Sequence, residues 1–273
     1  MPILEVTNLK VWDSITGRVI IPDSSFQLKK ESCLAIVGES GSGKSVTCRA
    51  IMRLHKAGIC QTGDILLKGE NLSELSEKNM RKKRGKQLCM IMQSGMRAFD
   101  PTCVIGVHLK ETLVQHFGWS HAEITTKMKH AMESVLLKNP IEVLNKYPHQ
   151  LSGGMLQRVM IALALVLEPA IVIADEPTTA LDTIAQYEVV EQFIRLRENV
   201  GCSMIFISHD LGVVQKIADE VLVMKAGEIV EKADTKTIFT EAQHDYTRHL
   251  VSAKLALNHH FNKIMGGVGS AEC

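Results

Sequence analysis

The sequence of 273 residues lacks paired cysteines, a surplus of charge of one sign and any long apolar stretch. Its seven cysteines stand singly without a C-x-x-C spacing, which favours reduced thiols in a cytosolic protein over a disulfide framework. The longest apolar stretch, Val159 to Leu167, is far shorter than the ~20 residues of a membrane span. The formal net charge of +1 gives no electrostatic reason to expect nucleic acid as a partner.

The opening residues, Met1 to Val6, also lack the basic flank and apolar run of a signal peptide. We therefore expect that, if the protein serves a membrane process, other chains supply the membrane-spanning part. Hydrophobic residues make up 45% and charged residues 22% of the chain, an ordinary globular composition that argues against extensive disorder. The length fits one α/β domain with an inserted lobe.

A complete phosphate-binding loop of the form G-x-x-x-x-G-K-S is present. A β-rich run, Cys33 to Val37, precedes it, and residues with helical spacing, Val46 to Leu54, follow it. The loop is thus predicted at a helix N-terminus, where free backbone N–H groups and the helix dipole favour phosphate oxygens. The predicted nucleotide contacts in the loop are Gly38, Glu39, Ser40, Gly41, Ser42, Gly43, Lys44 and Ser45.

Two residues of the loop have a predicted chemical task. Lys44 is expected to neutralise the β- and γ-phosphates, and the hydroxyl of Ser45 is expected to bind Mg²⁺. Farther along the chain, an apolar strand ends in Asp175 and Glu176. Asp175 is predicted to hold Mg²⁺ through its water shell, while Glu176 points elsewhere, toward an attacking water.

Between these two motifs lies Leu151-Ser152-Gly153-Gly154-Met155-Leu156-Gln157-Arg158. A phosphate loop, this signature and an acidic strand end, in that order, make the chain resemble the ATP-binding subunits of ATP-binding cassette (ABC) transporters. The resemblance implies that Ser152, Gly153 and Gly154 bind the γ-phosphate held by an opposite subunit. It also implies that ATP and Mg²⁺ are the cofactors.

The same resemblance assigns the remaining site residues. Glu176 is the expected catalytic base, Gln93 matches the glutamine that senses Mg²⁺ and the attacking water, and His209 matches the switch histidine at the γ-phosphate. Asp182 belongs to the segment after Pro177 that resembles the family's D-loop. Trp12 is the candidate for stacking on adenine. The implied catalytic residues are Glu176, His209 and Gln93, and the implied Mg²⁺ residues are Ser45, Gln93 and Asp175.

Strand-like runs that alternate with helical spacing predict an α/β fold with a largely parallel sheet. The resemblance implies a P-loop NTPase cassette with a RecA-like core and an N-terminal antiparallel β subdomain. A helical subdomain is expected to be inserted at about 95–165. We expect an ATP-binding domain at 1–250 and a short helical C-terminal tail at 251–273.

Within the family, the motif sequences resemble those of the nickel, metallophore and oligopeptide importers. They resemble those of nickel or metal-chelate importers most. The segment from Gln93 to Pro101 departs from the peptide importers' usual Gln-Asp-Pro-Met. His244-Asp-Tyr-Thr247 stands where peptide importers have His-Pro-Tyr-Thr, and no cysteine cluster follows it. Import of nickel, cobalt or a metal–metallophore complex is therefore the favoured prediction, and import of oligopeptides or dipeptides is the alternative.

Each motif occurs once, so the chain resembles half of an ATPase pair. The implied partners are a second ATP-binding subunit, expected to be a paralogue, two transmembrane permease subunits and, indirectly, an extracytoplasmic substrate-binding protein. The implied location is peripheral, on the cytoplasmic face of the cell membrane. Cassette ATPases that act on DNA or ribosomes form a competing class, but they usually carry a long coiled coil or two cassettes, and this sequence has neither.

Overall fold

The computed structural model of the protein describes residues 1–179 and 181–253. The strands in this part of the chain are β1 (Pro2–Asp13), β2 (Val19–Ile21), β3 (Phe26–Lys29), β4 (Cys33–Val37), β5 (Ile59–Leu67), β6 (Glu70–Asn71), β7 (Leu88–Ile91), β8 (Ile171–Asp175), β9 (Ser203–Ile207), β10 (Glu220–Lys225) and β11 (Glu228–Asp234). The α-helices are α1 (Lys44–Met52), α2 (Glu77–Lys83), α3 (Ile105–Phe117), α4 (His121–Ser134), α5 (Pro140–Leu144), α6 (Gly153–Leu167), α7 (Thr183–Val200), α8 (Leu211–Ile217) and α9 (Thr235–Thr240). Residues 245–253 are also helical.

A mostly parallel sheet forms the centre of the molecule, with strand order β11-β10-β4-β9-β8-β7. Only the β11 pairing to β10 is antiparallel among these strands. All five residues of β4, of β8 and of β9 are buried, as expected of strands covered on both faces. Because parallel strands end at one edge of a sheet, the segments after Val37, Asp175 and Ile207 meet there.

An antiparallel sheet covers one side of this core, with order β2-β1-β5-β6 and with β3 also paired to β1. Its long strand β1 buries Leu4, Val6, Leu9 and Val11 in a cluster shared with α1 and the parallel sheet. The predicted α/β fold with an antiparallel N-terminal sheet is thereby confirmed.

Helices α3 to α6 pack together on the other side and share one apolar cluster with α7 and the parallel sheet. These helices run from Ile105 to Leu167, which overlaps the expected insertion at about 95–165. Whether they form a separate subdomain with those boundaries stays a prediction. In the described part of the chain, no helix is long and apolar enough to cross a membrane.

Some local expectations differ from the structure. The run Leu88 to Gln93 predicts a strand over its whole length, but β7 ends at Ile91. Beyond it, the side-chain amide of Gln157 donates to the Met92 and Gln93 carbonyls at 3.0 and 3.2 Å. The short strand β3 and the polar edge strand β11 carry too little apolar pattern to be predicted from the sequence. Most of the expected C-terminal tail, 254–273, lies outside the described residues.

Candidate nucleotide-binding and catalytic site

The phosphate loop connects β4 to α1 as predicted and is held close to the β10–β11 turn. A Cβ atom at Gly38 would lie 2.1 Å from the carbonyl oxygen of Met224, so no residue with a side chain fits there without a shift. The N–H of Gly227 donates to the carbonyl of Ser42 at 3.0 Å. The loop therefore rests on the backbone of a neighbouring strand pair.

Lys44 is the first residue of α1, and its side chain turns back over the loop. The ammonium nitrogen donates to the carbonyls of Gly38 and Glu39, both at 2.8 Å. Burial lowers the pKa of Lys44, while the nearby carboxylates of Glu176 and Asp175 act in the opposite direction. The ammonium group is thus desolvated and aimed into the loop, where a phosphate oxygen would find a donor with few competing waters.

Ser45 and Asp175 lie side by side, although they are 130 positions apart in the sequence. The Ser45 hydroxyl donates to Asp175 Oδ1 at 2.7 Å. Burial raises the pKa of the Asp175 carboxyl, and the hydrogen bond from Ser45 opposes that shift. A hydroxyl and a carboxylate in contact are a hard-oxygen donor pair of the kind Mg²⁺ prefers, so these residues fit the expected metal.

Glu176 directly follows β8 and has a positive φ of 48°, which is uncommon for a residue with a side chain. Its N–H donates to the Ile207 carbonyl at 3.1 Å. Its Oε2 atom accepts from Gln93 Nε2 at 3.3 Å and from Thr179 Oγ1 at 3.1 Å. His209 Nδ1 lies 3.7 Å from the same oxygen. Two of the predicted catalytic side chains, Gln93 and His209, therefore lie beside the carboxylate of the third, Glu176.

A cavity of about 460 Å³ opens over this arrangement. Gln93 and Glu176 form one part of its wall, and the phosphate loop forms another. Ser45, Gln93 and Asp175 also line an adjoining hollow of about 300 Å³. The cavity and the hollow are adjacent, because Ser45 and Gln93 line both. Their walls include the acidic strand end, the phosphate loop and the segment that carries Gln93.

The family model for ABC transporters matches residues 21–179, more than half of the chain. This chain belongs to the ABC transporter family. It is 46% identical over 267 residues to the metal-staphylopine import system ATP-binding protein CntD of Staphylococcus aureus, a match that covers 98% of each chain. It is 45% identical over 255 residues to the dipeptide transport ATP-binding protein DppD of Lactococcus lactis subsp. cremoris, covering 92% of this chain and 73% of that one.

Solved cassettes share the fold. One is the ATP-binding cassette MJ0796 in a dimeric post-hydrolysis state bound to ADP and Pi, with a TM-score of 0.75 and 24% identity over 85% of this chain and 98% of that chain. This chain is thus an ABC cassette that binds and hydrolyses ATP, in the importer branch of the family. The predictions of family, branch and ATPase activity are confirmed.

The signature segment of the cassette lies apart from the cavity around Lys44. Ser152 is the N-cap of α6, and its hydroxyl accepts from the N–H of Met155 at 3.2 Å. Ser152 and Gly153 are exposed, and Gly154 lies near the side chains of Leu181 and Ala185. None of these signature residues is among the described residues that line the cavity.

Asp182 has a similar local role in the cassette. It is the N-cap of α7, and its Oδ1 atom accepts from the N–H of Ala185 at 2.8 Å. It does not appear among the described residues of the cavity wall. Its predicted contact with nucleotide, like that of the signature, stays a prediction.

Trp12 lies on β1, paired with Val19 of β2 and Cys60 of β5. Among the described residues, the wall of the cavity contains other members of this β region but not Trp12. Stacking of Trp12 on adenine therefore stays a prediction. The cavity residues that the sequence analysis missed are Asp13, Arg18, Ile20 and Val46.

None of these four residues belongs to a recognised motif. Their position in the cavity wall of the folded chain identifies them. Gln157 is different, because it is part of the signature already singled out. Its contact with the Met92 and Gln93 carbonyls links α6 to the segment that carries the predicted catalytic glutamine.

Proposed function

We propose that this cassette hydrolyses MgATP to power import of a metal–chelate complex. The observation that carries the hydrolytic part is the group of Gln93, Glu176 and His209 beside the phosphate loop. The metal-staphylopine import relative supports the cargo, since it matches at 46% identity over 98% of both chains. Dipeptide import is the second candidate, favoured by a relative at 45% identity.

In nucleotide binding, the N–H groups of the loop and the ammonium of Lys44 hold the β- and γ-phosphates. Ser45 and Asp175, already in contact at 2.7 Å, would hold Mg²⁺, and Gln93 would complete the oxygen ligands. When bound, Mg²⁺ supplies positive charge that offsets the charge developing on the phosphate oxygens. The backbone of the loop would orient the phosphates. The residues that hold Mg²⁺ would orient the γ-phosphate end of ATP.

In hydrolysis, the Glu176 carboxylate accepts a proton from the attacking water. The water oxygen forms the new bond to the γ-phosphorus, and the bond from that phosphorus to the ADP oxygen breaks. Gln93 and Thr179 hold the carboxylate by hydrogen bonds at 3.3 and 3.1 Å. His209, whose Nδ1 lies 3.7 Å from Glu176 Oε2, would contact the γ-phosphate beside this carboxylate.

The exposed signature supports a site built from two subunits. Ser152 and the amides at the start of α6 would bind the γ-phosphate held by the opposite cassette, with Asp182 nearby in the same contact. We propose a paralogous cassette as that partner. Two transmembrane permease subunits and, indirectly, an extracytoplasmic binding protein would complete the importer. This chain would then lie on the cytoplasmic face of the membrane.

The segment from Gln93 to Pro101 is the proposed contact with the permease subunits. Met96 and Arg97 are exposed in it, whereas Phe99 is buried against α3 with its ring 5.5 Å from His108. Residues 1–250 would form the ATP-binding domain, with the helical subdomain at about 95–165 and a short tail from 251. Closure of the cassette on ATP would then move this exposed segment against the membrane subunits.

Uptake measurements test the proposed cargo. Cells with and without the gene are compared for uptake of radiolabelled nickel, cobalt and metal–chelate complexes, and for growth on an essential oligopeptide. Metal–chelate uptake is expected to fall while peptide-dependent growth is retained. A peptide defect with normal metal uptake would transfer the assignment to the second candidate.

A further inference from the structure

One hydrogen bond joins the C-terminal helix, residues 245–253, to the phosphate loop. The backbone N–H of Glu39 donates to the hydroxyl oxygen of Tyr246 at 3.1 Å, across 207 positions of sequence. Tyr246 belongs to the segment His244 to Thr247, which the sequence analysis compared with the peptide importers but to which it gave no role in the nucleotide site. The contact reaches the loop from the side of the sheet that carries α8 and α9.

Packing holds the Tyr246 ring in place. The residue is 8% exposed and belongs to an apolar cluster with Val37, Val223 and Ile238. The Lys225 ammonium lies 4.9 Å from the centre of the ring. A buried tyrosine ring with one polar end directs its hydroxyl at a partner, and here the partner is the loop.

The turn before Tyr246 is also held. The Glu231 carboxylate accepts from the N–H groups of Gln243 and His244 at 2.7 and 3.1 Å. His244 Nδ1 in turn accepts from the N–H of Tyr246 at 3.1 Å. The start of the C-terminal helix is thus tied to β11, so the hydroxyl presents a fixed acceptor to Glu39.

The peptide group between Gly38 and Glu39 connects this contact to Lys44. Its N–H, from Glu39, donates to Tyr246, and its C=O, from Gly38, accepts from the Lys44 ammonium at 2.8 Å. A trans peptide group is planar, so its N–H and C=O point in opposite directions and rotate together. A hydroxyl that fixes the N–H therefore also fixes the carbonyl that holds Lys44.

We propose that Tyr246 is a positioning residue for the phosphate loop, which sets the Gly38–Glu39 peptide so that Lys44 is oriented for the β- and γ-phosphates. The inference rests on the proposed role of Lys44 in phosphate binding. A loop that is already ordered loses less conformational freedom when ATP binds, so the contact favours binding rather than the chemical step. It also makes the C-terminal helix a structural support of the nucleotide site.

The test compares Tyr246→Phe, which keeps the ring and removes the hydroxyl, with the control Tyr187→Phe. Tyr187 is exposed on α7, and its ring lies 3.6 Å from the Lys216 ammonium. Kd for MgADP and MgATP is measured on this chain by calorimetry, and KM and kcat for ATP are measured on the complex assembled with its partner subunits. The unfolding temperature is measured without nucleotide.

For Tyr246→Phe we expect nucleotide Kd and KM to rise roughly 2- to 10-fold, the range expected from one lost hydrogen bond. The value of kcat should stay within about twofold, because Tyr246 does not touch the Glu176 group. A purely structural role would instead lower kcat through a smaller folded fraction and leave KM unchanged, and that result would overturn the proposal. So would equal nucleotide affinities in the Tyr246→Phe and Tyr187→Phe variants.

Lys44→Ala, measured alongside, separates this inference from the proposed site. If Lys44→Ala binds nucleotide normally, the assignment of the loop lysine fails and the Tyr246 inference fails with it. If Lys44→Ala weakens binding and Tyr246→Phe does not, only the role of Tyr246 is wrong.

Discussion

The phosphate-loop side and the signature side of this cassette differ in how their polar groups are used. Around the loop, Lys44 donates to backbone carbonyls and Ser45 donates to Asp175. At the signature, Ser152 caps its own helix and remains exposed. The loop side is assembled from distant parts of one chain, whereas the start of the signature, at Ser152, is local structure that faces outward.

This difference separates polar groups that the folded chain already holds in place from polar groups that remain at its surface. Burial of Lys44 and Asp175 is offset by hydrogen bonds that the folded chain itself provides, so the loop side is organised before any partner arrives. Ser152 and Gly153 at the start of the signature are exposed and have no such network. In the two-subunit proposal, another subunit brings a phosphate to them.

The largest expected effect is on the loop side. Replacing Glu176 with Gln removes the proposed base while retaining a side chain of similar size that can still meet Gln93 and Thr179. We expect ATP hydrolysis to fall about 10²- to 10⁴-fold, the usual loss for a general base, with nucleotide binding retained. Turnover by the complex assembled with its membrane subunits, measured with calorimetric ATP affinity, is the readout. Near-normal turnover would remove the catalytic assignment.

A substitution on the signature side sharpens the comparison. Ser152→Asp keeps a good N-cap for α6 but places a negative charge where the opposite subunit's γ-phosphate is expected. Hydrolysis by the assembled complex should fall by about 10²-fold at the affected site, because like charges would be brought together. ATP affinity of the isolated chain should not change.

The control for that experiment is Ser152→Gly, which costs only a few tenths of a kcal/mol as a cap and adds no charge. Equal losses for the aspartate and glycine variants would show that charge at the signature is not what matters. A loss of ATP affinity in the isolated Ser152→Asp chain would break the distinction between the two sides.

On the loop side, Lys44→Ala should weaken binding itself. The variant loses a cation that the structure aims into the loop, and charged hydrogen bonds are the strong ones. We expect Kd for MgATP to rise by roughly 10- to 100-fold, from the range for hydrogen bonds to charged groups. Lys138→Ala, at an exposed lysine remote in sequence from the loop, is the matched control and should bind ATP with less than a few-fold change.

The smallest effect on hydrolysis is expected in the segment proposed to contact the permeases. Arg97→Ala should reduce metal uptake by the whole complex more strongly than ATP hydrolysis, because Arg97 is exposed and only its position on the wall of the smaller hollow relates it to Ser45, Gln93 and Asp175. Uptake per ATP hydrolysed, in vesicles containing the complex, is the measurement. Unchanged coupling would exclude Arg97 from the contact.

Phe99 is a poor probe of the same contact, although it is only two positions from Arg97. It is 8% exposed and packs in the helical cluster, so Phe99→Ala removes core contacts. Losses of about 3–5 kcal/mol are typical of such a change in a core. A transport defect in that variant would therefore report unfolding rather than uncoupling.

Much of the site was predictable, because its chemistry requires particular residue types at short spacings. The loop from Gly38 to Ser45 and the pair Asp175 and Glu176 are recognisable for that reason. The side chains that contact Glu176 could not be predicted from residue type and spacing alone. Gln93 and His209 could be named only through the family resemblance, since a single glutamine or histidine carries no periodic signal of its own.

What could not be predicted depends on contacts between distant segments. Asp13, Arg18 and Ile20 line the described cavity wall, although they belong to no motif. Trp12, assigned through the family resemblance, is not among the described residues of that wall, and its stacking on adenine stays a prediction. In a strand, neighbouring residues face opposite sides, and the sequence pattern of β1 does not decide which of them faces the cavity.

The sequence by itself determined the chemistry of this protein: a phosphate loop, an acidic strand end and a signature, each encoded in a few neighbouring residues. The tertiary structure alone decided which groups meet. Parallel strands brought Ser45 to Asp175 and Gln93 to Glu176, and packing of the C-terminal helix brought Tyr246 to Glu39. The physical reason is the separation of the interacting residues along the sequence. Motifs and caps involve neighbouring residues, whereas burial and strand pairing join residues that are more than 80 positions apart in these contacts.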